Sequence, residues 1–79
     1  MELKIKCRVI NIAPDQAEKI ITIDDEQYLS DLKILIQSQY RFSPNLEPIL
    51  FWDKKELTNN RRIRDIKINT SKRPLIIKI

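Results

Sequence analysis

The chain contains no glycine, no histidine and only one cysteine among its 79 residues. Without glycine it cannot form a phosphate-binding loop such as GxGxxG or GxxxxGK. Without histidine it lacks the usual general base near neutral pH and the commonest metal ligand. A single cysteine cannot form an internal disulfide, which excludes a disulfide-linked secreted scaffold and predicts an intracellular location, in the cytoplasm or the nucleus. We therefore expect no enzyme, no catalytic residues, no metal and no cofactor.

Long apolar runs are absent as well. No run approaches the ~18 residues of a membrane span, and the segment MELKIKCRVI lacks the continuous apolar stretch of a signal peptide, so we expect no membrane association. The length fits one domain over residues 1–79. With 42% hydrophobic and 33% charged residues, the composition predicts a folded chain. The formal charge of +4 predicts a mildly basic surface that suits an acidic partner.

The first part of the chain alternates strictly between apolar and basic residues. The apolar positions are Leu3, Ile5, Cys7 and Val9, and the basic positions are Lys4, Lys6 and Arg8. This period of two predicts a half-buried strand with a basic outer side. The segment NIAPDQAE, with Asn11 and Pro14, predicts a turn. The β-branched segment KIITIDD predicts a second strand in which Ile21 and Ile23 point inward.

The period then changes to that of a helix. Apolar residues recur at spacings of three and four at Leu29, Leu32, Ile36 and Tyr40. This spacing predicts a helix between Tyr28 and Tyr40 with one apolar side. The acidic residues at 24–26 suit the dipole at its start. Pro44 and Pro48 each disfavour helical geometry in the residue before them, so the helix must end first.

The last part of the chain predicts three further strands. ILFW forms a third strand, DKKEL a turn into a short fourth strand, and PLIIKI a final strand with Leu75 and Ile77 inward. TNNRR predicts another turn. In it, Asn59 and Asn60 can adopt the left-handed conformation for which other chains would use glycine.

Taken together, this pattern resembles the ubiquitin-like, β-grasp family over nearly the whole chain. The matching positions between the second and third strands are Ile23, Leu29, Leu32, Lys33, Ile36, Phe42, Pro44, Ile49, Leu50 and Phe51. A later family signature is matched by Leu57, Arg61, Ile63, Asp65 and Ile68. The resemblance implies an α+β, ubiquitin-like β-grasp fold: a mixed four- to five-stranded sheet with one helix packed across it, in the order ββαββ. It also implies that the final strand lies between the first and the third.

The resemblance further implies a protein-binding surface on the side of the sheet away from the helix. Successive side chains of a strand face opposite sides of the sheet. If Ile49 and Phe51 point inward, Leu50 points outward, and Ile76 does so between Leu75 and Ile77; these two residues would form the apolar centre of the surface. The predicted contact residues are Leu50, Ile76, Lys78, Lys4, Lys6, Arg8, Trp52 and Lys54. An apolar centre with a basic rim suits a protein partner with an acidic or amphipathic helical contact surface. Trp52 is either an interface anchor or a residue that packs locally.

The resemblance implies a non-enzymatic interaction module whose partner is a ubiquitin-system receptor, the proteasome or an unfoldase. The sequence stops at Ile79 without the Gly-Gly tail through which family members are conjugated, so we expect a monomer or a module of a larger protein. Two alternatives stay open. One is a conjugable modifier whose tail is missing. The other is a Ras-binding type of β-grasp domain, which would pair its second strand with a GTPase and use the basic residues Lys4, Lys6, Arg8 and Lys19.

Three further groups have a functional and a structural interpretation. Cys7 could be a nucleophile, but its inward position and the absence of histidine favour a core residue. The carboxylates at 24–26 could bind a metal, although such residues usually interact with the helix dipole. The basic run with Arg61, Arg62 and Arg64 could contact phosphates, but no aromatic residues accompany it, so nucleic-acid binding is not expected.

Overall fold

A computed structural model describes residues 1–10 and 12–79. Its elements are β1 (Glu2–Val9), α1 (Pro14–Ala17), β2 (Glu18–Asp24), α2 (Leu29–Tyr40), β3 (Ile49–Trp52), β4 (Lys55–Glu56), α3 (Ile63–Ile66) and β5 (Leu75–Lys78). The strands form one five-stranded sheet in the order β2-β1-β5-β3-β4. β1 and β5 are parallel, and the other neighbouring strands are antiparallel. With α2 packed across one side, this α+β layout is consistent with a β-grasp fold and confirms the predicted fold class.

The segment in which the sequence predicts a turn after β1 is only partly covered by the described residues. Asn11, to which that prediction also applied, lies outside the described residues. The next residues form α1, a helix of four residues that the sequence pattern did not indicate.

The alternation in β1 is confirmed. Ile5, Cys7 and Val9 are buried, whereas Lys4, Lys6 and Arg8 are exposed. β2 pairs with β1 along its whole length and buries Ile21 and Ile23. These inward side chains form the sheet's half of the hydrophobic core.

Helix α2 supplies the other half of the core through Leu29, Leu32 and Ile36, as its spacing predicts. Its start is held by side chains, because the first amides of a helix have no partner within the helix. Asn60 Oδ1 accepts a hydrogen bond of 3.0 Å from the amide of Ser30, in the first turn. At the other end, the Tyr40 hydroxyl is within hydrogen-bonding distance of the carbonyl oxygens of Ala17 (2.8 Å) and Cys7 (3.2 Å), which ties the helix to the β1–β2 hairpin.

The backbone is left-handed at four described residues even though the chain has no glycine. These residues are Arg41, Asp53, Lys54 and Lys67. Asn59 and Asn60, which are able to take this conformation, do not adopt it here. Asn60 instead contributes to the fold through its side chain, which caps α2 by accepting the hydrogen bond from the amide of Ser30.

The predicted orientation of β3 is also wrong. Leu50 is 0% exposed and belongs to the core, whereas Ile49 is 42% exposed. All four residues of ILFW are apolar, so the segment has no alternation from which its inward side could be identified. Pairing with β5 determines it: Leu50 lies opposite Ile77, which is buried, and Phe51 lies opposite Ile76. A shift of one residue in phase moves every side chain to the other side of the sheet.

Candidate protein-binding surface

The side of the sheet opposite α2, which we call the outer face, carries most of the predicted contact residues. The structure places there Lys4, Lys6 and Arg8 from β1, Ile76 and Lys78 from β5, and Ile49 and Phe51 from β3. Leu50 is not among them, because it is fully buried on the other side. Ile49 and Phe51 were predicted inward, so their place on the outer face is a correction.

Phe51 and Ile76 form the apolar centre of the outer face. They are paired across β3 and β5, and each is half-buried. Together with Pro74 they line a groove of about 470 Å³, whose remaining lining residues are Asp53, Lys54, Arg73 and Lys78. We call this the Phe51 groove. It joins a mainly apolar floor to a charged rim, an arrangement typical of the centre and edge of a protein interface.

Lys78 lies at one end of the Phe51 groove. Its ammonium nitrogen is 4.5 Å from the centroid of the Phe51 ring, close enough for a cation–π interaction. The side chain is nevertheless exposed. The Phe51 ring at the floor of the groove is therefore partly covered by a cation in the free protein.

The other end of the groove is formed by the turn between β3 and β4. Asp53 and Lys54 form a two-residue turn in which both φ angles are positive, as the tight turns that suit a hairpin require. The guanidinium of Arg73 is 2.9 Å from the Asp53 carboxylate and 5.5 Å from the centroid of the Trp52 ring. Trp52 itself is partly buried and packs against the core. Of its two interpretations, local packing is the one observed, so Trp52 is not part of the outer face.

The basic residues of β1 are exposed, but two of them already have an acidic neighbour. The Arg8 guanidinium forms an ion pair with the Glu18 carboxylate, and the Lys6 ammonium is 4.0 Å from it. The hydrogen bond from Arg8 lowers the pKa of Glu18 below its usual value. Because all three groups are exposed, these pairs contribute little to stability. They do reduce the positive charge that β1 offers to a partner.

A second groove of about 480 Å³ crosses the N-terminal part of β1. Its lining includes Lys4, Lys6 and Ile20, and the amide of Lys6 donates a hydrogen bond to the Thr70 hydroxyl (2.9 Å). Ile20 is 62% exposed. Sequence reasoning missed Ile20, although two adjacent isoleucines in one strand indicate that one of them faces away from the core.

Cys7 is a core residue in this structure. It is 0% exposed, its Sγ lies 3.7 Å from the carbonyl oxygen of Ile5, and burial raises the pKa of its thiol to about 12. A thiol with so high a pKa carries almost no thiolate at neutral pH, and thiolate is the form that reacts.

The acidic residues at 24–26 interact with the N-terminal ammonium and with one arginine of the basic run. The N-terminal ammonium is 2.8 Å from the Asp25 carboxylate and 3.6 Å from that of Asp24, and Arg64 lies 3.6 Å from Glu26. Among the described residues, no group of three or more cysteine, aspartate or glutamate side chains is arranged to hold a metal ion. Arg62 lies over the Tyr28 ring, 5.8 Å from its centroid.

Comparison with models of known protein families gives no match, and comparison with curated proteins gives no significant match. Within the described residues, none of the helices has the length and apolar character that a membrane crossing requires.

Proposed function

We propose that this chain is a non-enzymatic, ubiquitin-like interaction module that binds a protein partner on its outer face. The observation that carries the proposal is the Phe51 groove, with Phe51 and Ile76 at its floor and cations at both ends. The β-grasp layout and the resemblance in sequence support assignment to the ubiquitin-like family.

The groove suits a partner that inserts one large apolar side chain. Burying such a side chain fully contributes about 1.5–3 kcal/mol to binding before entropic costs. Exposed cations at Lys4, Lys54 and Lys78 would attract an acidic partner and orient it, which affects association rate and specificity more than affinity. An acidic or amphipathic helix has both features, since it satisfies its own backbone and can lie on a sheet.

By resemblance, the partner class is a ubiquitin-system receptor, the proteasome or an unfoldase, encountered inside the cell. These are properties of the family to which the chain is similar, and a fold supports many functions. The groove therefore supports the proposal that the chain binds a protein, and the resemblance supports the proposed class of partner.

The test compares proteins captured from cell lysate by wild type, Phe51→Ala and Ile76→Ala. Ile34→Ala is the matched control, because Ile34 is 64% exposed on α2 and so lies on the opposite side of the molecule. We expect specific partners to be lost with the two groove variants and retained with Ile34→Ala. Thermal unfolding must first show that all variants are folded. Equal capture by all four proteins would rule out the groove as the binding site.

The Ras-binding alternative is favoured by one observation: β2 is an edge strand of the sheet. The amide of Lys6 bonds to Thr70, on the side of β1 away from β2, so alternate residues of β2 such as Ile20 and Thr22 direct their backbone groups away from β1. A GTPase strand could pair with them. Binding to GTP-loaded but not GDP-loaded small GTPases, insensitive to Phe51→Ala, would favour this alternative over the outer face.

A further inference from the structure

The cations that border the Phe51 groove differ in whether a carboxylate already neutralises them. Arg73 is paired with Asp53, and on the adjoining strand Arg8 and Lys6 share Glu18. In the described part of the chain, Lys54 and Lys78 have no ion-pair partner. Of these two, only Lys78 lies on a strand and over the apolar floor, where its ammonium is 4.5 Å from the centroid of the Phe51 ring.

The position of Lys78 affects any ligand that enters the groove. A ligand that covers Phe51 must either displace the ammonium from the ring or bury it. Burying a charge without a counter-charge is unfavourable, whereas a carboxylate close to the ligand's apolar side chain could receive the displaced ammonium. A neutral apolar ligand loses the cation–π contact and provides no replacement for it.

We propose that Lys78 is a specificity-determining residue that makes the Phe51 groove selective for apolar side chains with an adjacent carboxylate. In the free protein Lys78 covers Phe51, and in the complex it pairs with the ligand's carboxylate. This inference rests on the proposed function, since it concerns the same groove. It goes further by naming the residue that selects the ligand and the arrangement of groups that it selects.

A random peptide library displayed on phage provides the probe. Peptides are selected on wild-type protein, and those whose binding is abolished by Phe51→Ala are kept as groove ligands. We expect them to contain aspartate or glutamate next to a large apolar residue. Changing that acidic residue to its amide should weaken binding to wild type about tenfold, which corresponds to about 1.4 kcal/mol.

The deciding measurement repeats this comparison on Lys78→Met, which keeps an unbranched apolar side chain and removes the charge. The acidic peptide and its amide form should bind this variant with equal affinity, because the ammonium that pairs with the peptide's carboxylate is absent. Lys33→Met on α2 is the matched control and should preserve the tenfold difference. If the difference persists in Lys78→Met, or if groove ligands contain no acidic residue, the inference is wrong.

An NMR measurement reports the movement of Lys78 directly. Because the ammonium lies over an aromatic ring, the ε-methylene protons of Lys78 should be shifted upfield in the free protein, and Phe51→Leu should remove the shift. Binding of a selected peptide should remove it as well, whereas a shift that persists in the complex would show that Lys78 is not displaced. By contrast, failure to find any peptide sensitive to Phe51→Ala would count against the proposed function itself.

Discussion

Neighbouring residues on β3 have opposite roles, because successive side chains of a strand face opposite sides of the sheet. Leu50 is fully buried in the core, and Phe51 lies on the outer face beside Ile76. A substitution that removes a leucine from the core leaves a cavity. Shortening a half-exposed side chain on the outer face leaves a space that water can enter.

For this reason Leu50→Ala should lower the free energy of unfolding by about 2–5 kcal/mol. Ile76→Ala, a matched change on the paired strand, should lower it by less than about 1.5 kcal/mol. Urea titrations of both variants measure the difference. Similar losses in the two variants would contradict the assignment of Leu50 to the core and Ile76 to the outer face.

The sequence predicts the orientation of a strand's side chains only where neighbouring residues differ in polarity. In β1, alternation of apolar and basic residues allowed every orientation to be predicted correctly. In β3, four consecutive apolar residues have no such contrast, and the predicted orientation was wrong. The outer face was therefore predicted with Ile76 and Lys78 in place but with Leu50 where the structure has Phe51.

Among the secondary-structure elements, α2 depends on a side chain from a distant loop. Asn60 accepts a hydrogen bond from the amide of Ser30, whereas Asn59 makes no side-chain hydrogen bond in the described structure. Asn60→Ala should therefore cost about 1 kcal/mol of stability, the usual effect of losing a helix cap. Asn59→Ala should cost almost nothing. Chemical denaturation of the two variants tests the difference, and equal effects would argue against the cap.

The β3–β4 turn is strained for lack of glycine. Lys54 has a φ angle of 64°, which a residue with a Cβ atom adopts only at a cost. Lys54→Gly should raise the free energy of unfolding by about 0.5–1 kcal/mol. The adjacent Lys55→Gly, in a strand with ordinary backbone angles, should lower it. Thermal unfolding distinguishes the two, and destabilisation by both changes would contradict the argument from strain.

The length of an element limited how well it could be predicted. α2 spans three turns, so its periodicity was clear and its end at Tyr40 was predicted correctly. α1 and α3 have four residues each, too few for a helical period to appear. The role of Asn60 was missed because local propensity does not show that its side chain caps a distant helix.

For the molecule as a whole, alkaline pH should reduce stability. Burial raises the pKa of Cys7 from its ordinary value near 9 to about 12, and that of Tyr40 from near 10 to about 12. Above pH 9 the unfolded chain releases protons that the folded chain retains, so unfolding becomes more favourable as pH rises. The thiol alone should cost about 1 kcal/mol between about pH 9 and pH 10.

Urea titrations across this range measure the effect. Cys7→Ala serves as the control because it removes the thiol and leaves Tyr40 in place. Its stability should fall less between pH 8 and pH 10 than that of wild type, because the N-terminal ammonium beside Asp25 and the Tyr40 hydroxyl keep their raised pKa values while the thiol is gone. A wild-type protein whose stability is the same at pH 8 and pH 10 would show that the thiol is not retained in its protonated form by folding.

The strand order could not be obtained from local patterns, because it depends on pairing between residues far apart in the chain. Periodicity predicted the strands and the helix. The position of the last strand between the first and third followed from the resemblance to a family, and the structure has that order. The exact pairing of β3 with β5, which decides which side chains form the Phe51 groove, was visible only in the structure.

The central position of β5 also has a consequence for synthesis on the ribosome. β5 pairs with β1 on one side and with β3 on the other, so among the described strands it alone joins the two halves of the sheet. A growing chain can form the β1–β2 hairpin and α2 early, but Leu75–Lys78 is translated after the other strands of this sheet. Until that strand has left the exit tunnel, β1 and β3 each have an unpaired edge. Formation of the complete sheet must therefore wait until translation has passed this strand.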